Sequence, residues 1–111
     1  MGNLLQVTDA NFSEALKAPK AVIEFWAPWC PACKAAAPMV ERLATTLKSQ
    51  VLVVGADVDQ TPQAADKYGI SSIPAMILFV DGKEVHRING VGSYAETLSE
   101  ICAAFGGKFN L

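Results

Sequence analysis

The chain has 111 residues, 51% of them hydrophobic and 18% charged, which excludes a disordered polypeptide and leaves room for one core. Nine Lys and Arg stand against eleven Asp and Glu, a formal charge of −2 with no basic face for nucleic acid. No apolar run approaches the ~20 residues of a membrane helix. The opening Met1–Gln6 lacks the basic start and apolar stretch of an export signal, so the expectation is a cytoplasmic protein. There is no internal repeat, linker or low-complexity tract. One domain over residues 1–111 is expected, with a monomer as the default.

Turn signals divide the chain into alternating elements. Leu4 to Val7 is a short apolar strand. Thr8 or Asp9 is placed to cap a helix running to about Lys17, with Phe12, Ala15 and Leu16 on one face, and Pro19 ends it. Ala21–Ala27 is a nearly continuous apolar run, the pattern of a strand buried on both faces. Cys30 to about Lys48 is rich in helix formers, with Val40, Leu43, Ala44 and Leu47 as its inward stripe. Pro38 inside it cannot donate to the Lys34 carbonyl, so a kink is expected there. Val51–Val54 is a second buried strand, and Pro62–Tyr68 a short helix stopped by Gly69. Ala75–Val80 is a third apolar strand. Asp81-Gly82 signals a hairpin into an edge strand from Glu84 to Ile88. Tyr94–Phe105 is a last amphipathic helix with Leu98, Ile101, Cys102 and Phe105 inward. Helices between apolar strands imply parallel pairing through right-handed crossovers, and the hairpin adds antiparallel strands. The result is one mixed sheet with helices on both faces.

The chemistry concentrates in Trp26-Ala27-Pro28-Trp29-Cys30-Pro31-Ala32-Cys33, where a buried strand ends and a helix begins. In an open α/β sheet that crevice is where function tends to lie. Cys30 at the helix start and Cys33 one turn later share a side and can bridge after small adjustments. Free amides and the positive helix end stabilise a thiolate on Cys30, making it the attacking sulfur. Cys33, deeper in the turn, resolves the mixed disulfide. Pro31 suits a position whose N–H would have no partner. The same pair can also be two free buried cysteines or half of a zinc site. A four-ligand site would have only Cys102 and His86 to draw on, so no metal is expected. Cys102 reads as a small buried hydrophobe, Lys34 as a solvated helix residue, and His86 as an exposed residue of an edge strand.

Glu24 interrupts an otherwise buried strand. By alternation it shares a face with Val22 and Trp26. Burial without a partner raises a carboxyl's pKa toward neutrality, which suits a proton acceptor for Cys33. The alternative is a Glu that reaches solvent at a sheet edge. Trp26 reads as a core aromatic, and Trp29, next to a helix start and two prolines, as a surface residue. Ile73-Pro74 fits a turn entering a strand, for which a trans bond is the ordinary form.

The Trp-x-x-Trp-Cys-x-x-Cys-Lys run closing a buried strand, with Pro38 five residues after Cys33, resembles the thioredoxin family. So do Tyr68-Gly69-Ile70, Ile73-Pro74, the apolar strand after Pro74, and Gly90, in order over nearly the whole chain. The resemblance implies the thioredoxin fold, a five-stranded mixed sheet in the order 1-3-2-4-5 flanked by four helices. It implies a dithiol–disulfide oxidoreductase in which Cys30 is the exposed nucleophile and Cys33 the resolving thiol. Trp29 becomes a lip of the substrate groove, and Trp26 packs behind the pair. Pro74 becomes a cis-proline facing the disulfide. Ile73 offers its backbone to an extended substrate segment, and Gly90 leaves room for that segment. The implied partners are disulfide-containing proteins and a thioredoxin reductase-type flavoprotein. No bound cofactor is implied beyond the redox-active Cys30–Cys33 disulfide.

Three positions depart from the family pattern. Pro31-Ala32 replaces the usual Gly-Pro, and a better stabilised thiolate would make the couple more oxidising. Glu24 stands where the family usually has Asp. Gly55 falls where the family places a Lys beside the buried acid, so Glu24 loses a cation. The expected function is reduction of protein disulfides. A more oxidising oxidase or isomerase, and a binding module without turnover, are the alternatives.

Overall fold

The computed structural model describes residues 4–90, 92–107 and 109. Strands β1 (Gln6–Val7), β2 (Lys20–Trp26), β3 (Leu52–Asp57), β4 (Ala75–Val80) and β5 (Lys83–Asn89) alternate with helices α1 (Phe12–Ala15), α2 (Pro31–Leu47), α3 (Pro62–Lys67) and α4 (Tyr94–Ala104). Among the described residues the strands form one five-stranded sheet in the order β1-β3-β2-β4-β5. β1 and β2 run parallel to β3, while β4 runs antiparallel to both β2 and β5. This is the thioredoxin fold.

The continuous apolar runs land in the centre of the sheet. β2 and β4 are buried along almost their whole lengths because both faces are covered. One face carries Val22, Val53, Met76 and Leu78 against Val40, Leu43 and Leu47 of α2 and Ile101 of α4. The other carries Ile23, Phe25, Val54, Ile77 and Phe79 against Phe12, Ala15 and Ala64. Tyr68 meets Phe79 edge to face at 5.4 Å between ring centres. Each large side chain so buried contributes ~1.5–3 kcal/mol. α2 and α4 are also joined by the hydroxyls of Thr46 and Tyr94 at 2.6 Å, and the Arg42 guanidinium lies 3.8 Å from the centre of the Tyr94 ring.

Two turns follow local chemistry. Asp81 and Gly82 both take positive φ, 51° and 81°, as a two-residue hairpin turn requires. Ser93 and Glu96 form a reciprocal capping box that starts α4.

Two expectations are corrected. Neither Thr8 nor Asp9 caps the first helix. It is shorter, starts after Asn11, and frays into three-residue turns at Lys17 and Ala18. The carboxylate of Asp9 instead accepts from the amides of Gln63 and Ala64 at 2.9 and 3.0 Å, capping α3 from across the fold. Thr61, ahead of α3, is unavailable for that task because its hydroxyl donates to the Asp57 carbonyl. On α4 the buried line is Thr97, Ile101 and Phe105 at i, i+4, i+8; Leu98 is half-buried and packs against the same core, whereas Cys102 is half-buried outside that cluster instead of inward.

Candidate active site

β2 delivers the chain to the edge of the core at Trp26, and Ala27 is fully buried. A tight turn follows, closed by the Cys30 amide donating to the Ala27 carbonyl at 3.2 Å. Cys30 is the N-cap of α2, with extended backbone and Pro31 as the first helical residue. Its sulfur accepts from the amide of Cys33 at 3.1 Å. That amide and the positive end of a seventeen-residue helix both face the Cys30 sulfur, an arrangement that favours negative charge there. Both cysteines are free thiols.

Cys30 is not the exposed sulfur that the resemblance implies. It is 5% exposed and Cys33 0%, because Ala27, Trp26, Val58 and Ile73 pack around the pair. The Cys30 thiol points at the Ile73 carbonyl, 3.9 Å away. Pro31, Ala32 and Lys34 lie exposed on the helix start, and Pro38 lies within the continuous helix. The Ile73–Pro74 peptide is cis. The Gly90 amide donates to the Pro74 carbonyl at 2.9 Å, and Gly90 has a φ of 77° with open space where a side chain would be. Trp29 is 65% exposed, the largest apolar surface beside the pair.

Glu24 sits in the centre of the sheet. β2 lies between β3 and β4, so no sheet edge offers its side chain a path to water. It is fully buried, and neither carboxyl oxygen has a hydrogen-bond partner among the described residues. Burial pushes its pKa from 4.5 up to about 7. Burial likewise pushes Cys33 up to about 12, helped by its hydrogen bond to Cys30 and by the negative charges of Cys30 and Glu24, against an opposing hydrogen bond to the Ala27 backbone. Burial thus favours the protonated form of both the Cys33 thiol and the Glu24 carboxyl.

Two residues near this site escape a reading of the sequence. Asp59 accepts from the Trp29 indole at 3.0 Å, and Gln6 accepts from the Trp26 indole at 2.8 Å. Asp59 could have been found. It follows the carboxyl end of β3, which is parallel to β2 and opens on the same crevice. His86 lies elsewhere on β5 and is engaged by Glu100 at 2.6 Å. Among the described residues no group of three or more His, Cys, Asp and Glu is gathered to hold a metal, and no helix is long and apolar enough to cross a membrane.

A sulfur capping a helix at the carboxyl end of a parallel strand, with a second sulfur one turn behind it, defines a protein built for dithiol–disulfide exchange. The family model for Thioredoxin matches residues 3–103. Thioredoxins of Staphylococcus aureus, among them those of strains Mu50, MW2 and N315, are 37% identical over 98 residues, covering 88% of this chain and 93% of theirs. The chain belongs to the thioredoxin family, and the chemistry it shares with that family is thiol–disulfide oxidoreduction.

Proposed function

We propose that the protein, working as a single thioredoxin domain, reduces disulfides of other proteins. The Cys30 thiolate attacks one sulfur of a substrate disulfide. The S–S bond breaks, the second substrate sulfur leaves as a thiolate, and Cys30 is joined to the first in a mixed disulfide. Glu24 takes the Cys33 proton, directly or through one water. The Cys33 thiolate then attacks the Cys30 sulfur, the mixed S–S bond breaks, and the departing substrate sulfur takes the proton back from Glu24 and leaves as a thiol. Two electrons have passed to the substrate and the Cys30–Cys33 disulfide remains. A flavoprotein reductase of the thioredoxin-reductase type, supplying two electrons and two protons, restores the dithiol.

The observation that carries this reading is the Cys33 amide held on the Cys30 sulfur at 3.1 Å. It leaves the second sulfur behind the first, where it can displace whatever the first has captured. Both cysteines are buried while their neighbour Trp29 is exposed, which supports an approach of the substrate past Trp29. There an extended substrate would lie against Trp29, Ile73, Pro74 and the open space at Gly90.

Insulin reduction with dithiothreitol tests it. Wild type should precipitate insulin chains and Cys30→Ser should not, while Cys33→Ser should accumulate a stable mixed disulfide with substrate. Equal rates for wild type and Cys30→Ser would leave only a binding module.

A further inference from the structure

We propose that Gln6 is a positioning residue for the dithiol: lying across Gly55, its side chain holds the Trp26 indole that packs against Cys30 and Cys33. The inference rests on the reading of Cys30 and Cys33 as the reacting pair.

Gln6 stands opposite Gly55 in the β1–β3 ladder, and Gly55 stands opposite Glu24 in the β3–β2 ladder. The three form one row across the sheet, and registered neighbours present their side chains to the same face. A Cβ built on Gly55 would lie 2.5 Å from Nε2, 2.7 Å from Oε1 and 2.9 Å from Cδ of Gln6. The carboxamide thus occupies the room that a glycine alone leaves. From there Oε1 accepts from Trp26 Nε1 at 2.8 Å and Nε2 donates to the Leu4 carbonyl at 3.3 Å. A side chain of the two-residue edge strand β1 reaches over β3 and ties down the last residue of β2. Trp26 is half-buried against the cluster of Ala27, Cys30 and Cys33. An indole held at its nitrogen keeps one orientation, and that ring is part of the wall behind the resolving thiol. The same arrangement puts a neutral amide over Gly55, where the family pattern has a lysine side chain.

Gly55→Ala is the probe. The three atoms nearest the added methyl, all closer than 3.0 Å, belong to the far end of the flexible Gln6 side chain, so the carboxamide must leave while the backbone can stay. The test is a double-mutant cycle of Gly55→Ala, Gln6→Ala and the pair. It reads the Trp26 indole N–H resonance and the rate at which Cys33 resolves a preformed Cys30 mixed disulfide. Each single variant should shift the resonance and slow resolution by about fivefold, the effect of one lost hydrogen bond. The double variant should be no slower than Gln6→Ala alone. Unchanged resonance and rate in Gly55→Ala would overturn the proposal, as would effects that multiply in the double variant, or a lowered melting temperature with an unaltered resolution rate. If wild type fails to resolve mixed disulfides, the proposed function falls. The indole resonance still reports whether Gln6 holds Trp26.

Discussion

The backbone amide of Cys33 donates to the sulfur of Cys30 at 3.1 Å, so the residue proposed to finish the reaction also steadies the charge that begins it. Its N–H is one of the orphan donors of the first turn of α2. The residues between the two cysteines decide what other donors stand there. Pro31 takes the first helical position and contributes none, whereas Ala32 keeps an N–H that a proline in its place would lack.

A better stabilised Cys30 thiolate favours the dithiol and makes the couple more oxidising. Changing Pro31-Ala32 to Gly-Pro (Pro31→Gly with Ala32→Pro) should lower the reduction potential by ~30 mV or more, ~30 mV being about 1.4 kcal/mol. Equilibration with glutathione redox buffers measures it. A wild-type potential at or below that of the Gly-Pro variant would refute the assignment.

Glu24→Gln removes the proton acceptor but keeps the shape of the side chain. Resolution of a Cys30 mixed disulfide should slow by about a hundredfold, the usual scale of a lost general base, while its formation should change by less than about twofold. Stopped-flow measurement of the two steps separates them. Equal slowing of both would take Glu24 out of the mechanism.

The same residue makes stability depend on pH. Its pKa is raised from 4.5 to about 7 in the folded chain, so the folded state binds the proton more tightly than the unfolded state. The resulting stability is fully present below about pH 4.5 and is lost as pH rises to about 7. At ~1.4 kcal/mol per pH unit the loss amounts to about 3 kcal/mol. Urea unfolding at pH 4.5 and pH 8 should show this fall in wild type, with a flatter profile in Glu24→Gln. Parallel profiles would contradict a buried, unpaired carboxyl.

Trp29 is exposed and bonded to Asp59 at the surface. Trp29→Ala should leave thermal stability within about 0.5 kcal/mol of wild type. It should lower kcat/KM for a protein disulfide by about tenfold through a raised KM, as loss of an exposed aromatic anchor does. A fall confined to kcat would place Trp29 in the chemistry instead of the docking surface.

Asp9→Ala removes the side chain that caps α3 from a distance. A loss of about 1 kcal/mol is expected. Faster hydrogen exchange at the amides of Gln63 and Ala64 would locate the effect. Unchanged protection at both would mean that the cap is dispensable.

Much of this molecule was legible in its residue order because the signals are local. Nearly continuous apolar runs mark β2 and β4 as central, Asp81-Gly82 marks the hairpin, and Cys30 and Cys33 at a strand-to-helix junction mark the site. Glu24 stood out as the acid in a buried run. Each of these depends on neighbours a few positions away, and spacing along the chain carries that information. What remained hidden rests on partners brought together from far apart. Asp9 caps a helix more than fifty positions onward, Gln6 reaches over Gly55 to Trp26, and the line of burial on α4 turns by one residue to fit α2 and the sheet. The burial of Cys30 belongs with these, since Val58 and Ile73 arrive from other elements. Local propensity and period determine which element forms. Side chains that bond or pack across the sheet respond to distances that only the folded chain creates.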